Sequence, residues 1–229
     1  MKSLPANTRF GKRLRYHLCL AGISLGLTSL LYGVLALFYP SEQSLMFRWS
    51  LATGYVGAAL LAVTLSVGTW KIWRGRSNPV STDLRRDMGI WCGVLSIAHV
   101  IAGLNVHMKS WTLYFVTESG GPRADLFGLA NYLGLAATLV VVVLLATSND
   151  FSLSVLKSSR WKAIQRWNYA FAALVGLHTV LYIFVENRIV PFIFIFAAIL
   201  FWILIIQAVG FRRRRSVTED QTITVREKL

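Results

Sequence analysis

Six apolar stretches, none containing Asp, Glu, Lys or Arg, constrain this chain more than anything else in it. They are Leu18–Tyr39, Ser50–Trp70, Met88–Met108, Leu126–Thr147, Trp167–Val185 and Ile189–Gly210. Each is close to the ~20 residues that a helix needs to cross a bilayer. In lipid every backbone N–H and C=O must find a partner inside the protein, so segments of this length are helices. Pro40-Ser41 ends the first. Pro191 lies in the first turn of the sixth, where proline is tolerated. Only Glu186-Asn187-Arg188 separates the fifth from the sixth, which predicts a tight antiparallel hairpin. The first stretch exceeds the ~7–15 apolar residues of a signal-peptide core, so it reads as a retained helix. The expected fold is all-α: a polytopic six-helix membrane bundle over 18–210. A basic arm over 1–17 precedes it, and a basic tail over 211–229, expected to be disordered, follows.

Charge placement gives the bundle a direction. Charged residues are 15% of the chain and the formal net charge is +14. A surplus this large could serve nucleic-acid binding, but its distribution serves membrane orientation. Of 24 Lys and Arg, only Arg48, Lys109, Arg123 and Arg188 fall on one side of a six-helix layout. The arm, the second–third loop, the fourth–fifth loop and the tail carry the rest on the other side. Basic loops stay inside, so both termini are expected in the cytoplasm, facing anionic headgroups. The two cysteines, Cys19 and Cys92, form neither a disulfide framework nor a CxxC site, and read as small packing residues.

Ionisable groups at mid-membrane are costly and point to function. His99 is eleven residues into the third stretch and His178 eleven into the fifth. At 1.5 Å per residue both lie ~16 Å from the cytoplasmic end, on parallel helices. Two neutral imidazoles across a planar macrocycle are the axial ligands of a b-type haem. Gly103 and Gly176 would let a macrocycle approach, and Ser96 could accept from the second ring nitrogen of His99. Other readings stay open: two separately hydrogen-bonded histidines, a proton relay, or zinc, although no third or fourth zinc ligand lies at that depth. His17, beside Arg13 and Arg15, reads as interfacial. His107, at the outer end of the third stretch, is either structural or a contact to a cofactor edge or partner.

Two segments resemble a known family. They are Leu84-Arg85-Arg86-Asp87-Met88-Gly89-Ile90-Trp91-Cys92 with Ala98-His99, and Ser159-Arg160-Trp161-Lys162-Ala163-Ile164-Gln165-Arg166-Trp167-Asn168-Tyr169 through Leu177-His178-Thr179-Val180-Leu181-Tyr182. They are similar to the ferric-reductase-like transmembrane domain, within it most to the MsrQ/YedZ haem-binding membrane subunits. The resemblance implies a bacterial inner-membrane, lipid-embedded haem protein that moves electrons across the membrane. A cytoplasmic flavin reductase would be the donor, haem b and FMN the carriers, and a periplasmic molybdopterin methionine-sulfoxide reductase the acceptor. It makes His99 and His178 the ligands of the outer haem iron. The family has a further histidine where this chain has Gln165, and Arg86 holds the matching position on the third helix, so one haem is expected. Arg85, Arg86, Gln165, Arg166 and Trp161 would then face a flavin, arginines suiting its phosphate. The chain is thus expected to be an electron-transfer subunit rather than a complete enzyme. A direct ferric reductase and a haem-free transporter or scaffold are the alternatives.

Overall fold

The computed structural model describes residues 6–39, 45–74, 83–107, 110–186 and 189–226. Among these the chain is helical: α1 (Ala6–Phe38), α2 (Leu45–Trp73), α3 (Asp83–Gly103), α4 (Leu126–Ala146), α5 (Asp150–Gln165), α6 (Trp167–Glu186) and α7 (Val190–Arg226), with a 3-10 turn at Trp111–Tyr114. Pro40, Ser41, Met108, Asn187 and Arg188, which bound several expected segments, lie outside the described residues. The chain is a multi-pass helical membrane bundle. The helices α1, α2, α4 and α7, and the continuous run Asp150–Glu186, are long and apolar enough to cross a membrane. Ser and Thr inside these apolar helices satisfy their hydroxyls on the preceding turn, as Thr28 does on Ser24, Thr64 on Leu60 and Thr138 on Gly134.

Helix α1 already begins at Ala6, within the expected arm, and α2 begins at Leu45 rather than Ser50; three further boundaries also differ from the expected ones. Helix α3 starts at Asp83 rather than Met88 and ends at Gly103, so Arg85, Arg86 and Asp87 belong to it. His99 is therefore one turn from its end and ~24 Å from its start. The fourth–fifth loop is a helix, α5, capped by Asn149, whose side chain accepts from the Ser152 N–H at 2.7 Å. Lys157, at φ 57°, breaks α5 with a left-handed residue. The tail, expected to be disordered, continues α7 to Arg226. A helix already nucleated gains one bond per added residue, and Arg, Glu and Gln are good helix formers.

Helix α2 is the centre of the bundle: 67% of its apolar window is buried, against 22% for α1 and 11% for α7. One apolar cluster joins Leu60, Leu61 and Leu65 of α2 to Leu95, Val141, Leu144 and Phe171. A second joins Leu35, Leu51 and Tyr55 to Phe192 and Phe196. The two meet on α2 near Gly54. At the basic end, ion pairs clasp α1, α3 and α5. Arg13 lies 2.9 Å from Asp150 and 3.6 Å from Asp87, His17 is 3.3 Å from Asp87, and Arg86 donates to Asp150. Arg86 and Asp87 are buried. The Arg86 hydrogen bond, with help from Arg13, holds the Asp150 carboxyl below its usual range.

Candidate functional site

The structure brings His99 and His178 together, with ring centroids 6.1 Å apart and ring planes at 90°. Each ring is anchored from behind. His99 Nδ1 lies 2.8 Å from the Ser50 carbonyl oxygen, and His178 Nδ1 lies 2.7 Å from that of Ala130. A carbonyl can only accept, so both imidazoles take the tautomer with the proton on Nδ1 and the lone pair on Nε2.

The two docks repeat one motif. One turn after each accepting carbonyl stands a glycine: Gly54 follows Ser50, and Gly134 follows Ala130. A β-carbon on Gly54 would lie 2.9 Å from His99 Nδ1, and one on Gly134 2.9 Å from His178 Nδ1. Both glycines are therefore required by the close approach of a ring to a helix backbone. These four residues escaped the reading centred on histidines. Their signal was present as small-x-x-x-Gly pairs, Ser50 to Gly54 and Ala130 to Gly134, the spacing that lets membrane helices approach.

A cavity of ≈ 290 Å³ surrounds the ring pair. It reaches toward the basic end at Leu61, Val141 and Phe171, and toward the opposite end at Trp111 and Phe115. The residues fit a haem. An imidazole–metal bond is ~2 Å and each nitrogen lies about 1 Å from its ring centre, so two rings on one metal sit about 6 Å apart. Among the described residues no three of His, Cys, Asp or Glu gather as a bare-metal site. A macrocycle, which brings its own equatorial nitrogens, needs only the two.

The pocket residues expected around the histidines are placed differently. The Ser96 hydroxyl donates to the Cys92 carbonyl at 2.8 Å, so the partner of His99 Nδ1 is Ser50, not Ser96. Gly103 lines the cavity, and it also makes room for the Ser50 hydroxyl, 3.3 Å from where its β-carbon would be. Gly176 faces α7, where a β-carbon would meet Leu200 at 3.5 Å, and is not part of the cavity wall. His107 pairs with Glu186 at 2.8 Å, and its backbone N–H donates to the Tyr114 hydroxyl at 2.9 Å. Both His107 and Glu186 line the cavity. Cys92 is buried with its thiol 3.4 Å from the Gly57 carbonyl, and Cys19 is exposed.

The five residues expected to face a flavin are divided. Trp161 is buried and donates from Nε1 to the Thr147 carbonyl at 2.9 Å. Gln165 donates to the Thr147 hydroxyl at 3.3 Å, so both grip the end of α4. Arg86 is buried in the ion-pair clasp, and Arg85 lies against Gly68 of α2. Arg166 is the exposed member.

The chain is similar to a known protein and to a known family. A magnetosome protein, MamZ of Magnetospirillum gryphiswaldense, is 31% identical over 120 residues. The matched part is 52% of this chain and 17% of that protein, so the chain corresponds to a small part of it. The family described as "Ferric reductase like transmembrane component" matches residues 53–177, a span that holds Gly54, His99 and Gly134 and stops one residue short of His178. That span exceeds half of the chain: the protein belongs to the ferric-reductase-like transmembrane family.

Proposed function

We propose that this chain is a b-type haem membrane subunit that carries electrons across the bacterial inner membrane. The donor is a cytoplasmic flavin/NAD(P)H reductase and the acceptor lies on the periplasmic side. The observation that carries the reading is the His99–His178 pair, with both Nδ1 protons on backbone carbonyls. Haem, when bound, supplies one-electron redox chemistry. The chain's own residues set its place: His99 and His178 would ligate the iron, while Ser50 and Ala130 hold the imidazoles in the ligating tautomer. The apolar side chains around them, Leu61, Val141 and Phe171 among them, would lower the dielectric at the group.

Membership of the family supports a transmembrane electron-transfer role. The MsrQ/YedZ resemblance favours a molybdopterin methionine-sulfoxide reductase as acceptor, and FMN as a carrier at the basic end, where Arg166 is the exposed cation. Gln165, engaged with Thr147, supports a single haem. The family's description favours a second reading, direct reduction of ferric iron at the outer face. A reduced-minus-oxidised spectrum of purified protein tests the main claim, since a haem-free transporter or scaffold gives no b-type α-band. Reduction of chelated ferric iron without a partner would move the assignment to the direct reductase.

A further inference from the structure

Beyond the paired dock, the His178 half of the site carries a further device. Four residues after His178, one turn on, stands Tyr182. Its ring lies 4.9 Å from the His178 ring, tilted by 52°. Its hydroxyl is buried and donates at 2.8 Å to the side-chain oxygen of Asn131. Asn131, itself buried, donates from its side-chain nitrogen to the Phe127 carbonyl at 2.8 Å. It also directly follows Ala130, whose carbonyl takes the His178 proton. The ring of His178 is thereby held from two points on one turn of α4: its proton on Ala130, and a tilted tyrosine ring tied to the next residue.

The matching positions in the other half are Gly103, four after His99, and Leu51, after Ser50. Neither offers a ring or a side-chain hydrogen bond. A hydrogen bond at Nδ1 sets the direction of an imidazole's Nε2 but leaves the ring able to rock about that direction. A neighbouring ring, tilted against it and held from its far end, restricts that freedom.

We infer that Tyr182, braced by Asn131, is a positioning residue that fixes the plane of His178 perpendicular to that of His99. This rests on the haem reading above. Perpendicular axial imidazoles leave two iron d orbitals nearly degenerate and give a strongly anisotropic low-spin ferric resonance. Parallel ones separate the orbitals and give a rhombic resonance. Ring orientation is therefore readable without any acceptor or turnover.

The test uses the full chain purified with haem b, read by haem content, low-temperature electron paramagnetic resonance and reduction potential. The wild type should carry haem with the strongly anisotropic signal. Tyr182→Leu should keep haem but shift toward a rhombic signal, with an altered potential. Tyr182→Phe keeps the ring but breaks the tie, as does Asn131→Ala, and both should broaden the signal toward mixed orientations. Phe184→Leu, on the lipid-exposed side of the same helix, should match the wild type. A haem-loaded Tyr182→Leu with the wild-type signal overturns the proposal. Should Tyr182→Leu fail to hold haem, Tyr182→Phe decides: a broadened signal supports the brace and an unchanged one overturns it. A wild type with haem and a rhombic signal defeats the ring orientation alone, whereas a wild type without haem defeats the electron-transfer reading itself.

Discussion

The His99 and His178 halves of the cavity are built alike at their bases and differently around them. In each, an imidazole donates to a helix carbonyl and rests against a glycine one turn later. Around that base, the His99 half has the Ser50 hydroxyl at 3.3 Å from Nδ1, and its helix is clasped to α1 and α5 by charge at the basic end. The His178 half has Tyr182 and Asn131, and the ion pair on its helix, Glu186 with His107, lies at the opposite end. The shared base serves ligation, which both rings must perform. The differing surroundings serve support, which each helix finds from the side chains at hand.

If ligation is shared equally, His99→Ala and His178→Ala should each remove haem entirely, and retention in one alone would break the symmetry. Gly54→Ala and Gly134→Ala come next. Each places a β-carbon, rigid on its helix, 2.9 Å from an imidazole atom. Overpacking of this kind costs ~1–3 kcal/mol, or roughly a five- to hundredfold weaker hold on haem. Haem titration of the two variants should give similar losses; a loss in one only would mean that the docks are not equivalent.

Ser50→Ala should do less. It removes a long hydroxyl contact and leaves the carbonyl bond, so at most about 0.5–1.5 kcal/mol is at stake. Haem content should stay constant while the potential moves slightly. The smallest effect belongs to the clasp. The Asp150 carboxyl is held below its usual range, so its contribution is complete above its unfolded value of ~3.9 and is lost as pH falls through the lower folded value. Thermal unfolding of wild type and Asp150→Asn in detergent should differ at neutral pH and converge in strong acid. A gap that persists at low pH would mean that Asp150 acts other than by its charge.

Much of the fold was legible in the sequence because bilayer thickness is an external ruler. Apolar runs near ~20 residues mark spans whatever packs on them. Helix ends were less legible. The start of α3 was hidden because Arg86 and Asp87 look like loop residues until α1 and α5 supply partners. The break of α5 at Lys157 rests on a backbone conformation that residue type does not announce. Within the site, His99 and His178 stood out because an imidazole in lipid is rare. Their anchors did not, since Ser50 and Ala130 contribute backbone carbonyls, which every residue has. Ser96 was a fair candidate by spacing, but a hydroxyl on a helix satisfies itself on its own preceding turn before it reaches a neighbour.

The central claim is that His99 and His178 form one haem site, and haem quantified per chain tests it most directly. Wild-type protein and the His178→Ala variant should be purified side by side and their haem measured by reduced-minus-oxidised difference spectra and haemochrome assay. The account predicts one haem b per wild-type chain and none in the variant. Two haems per wild-type chain, or a full complement in His178→Ala, would contradict it.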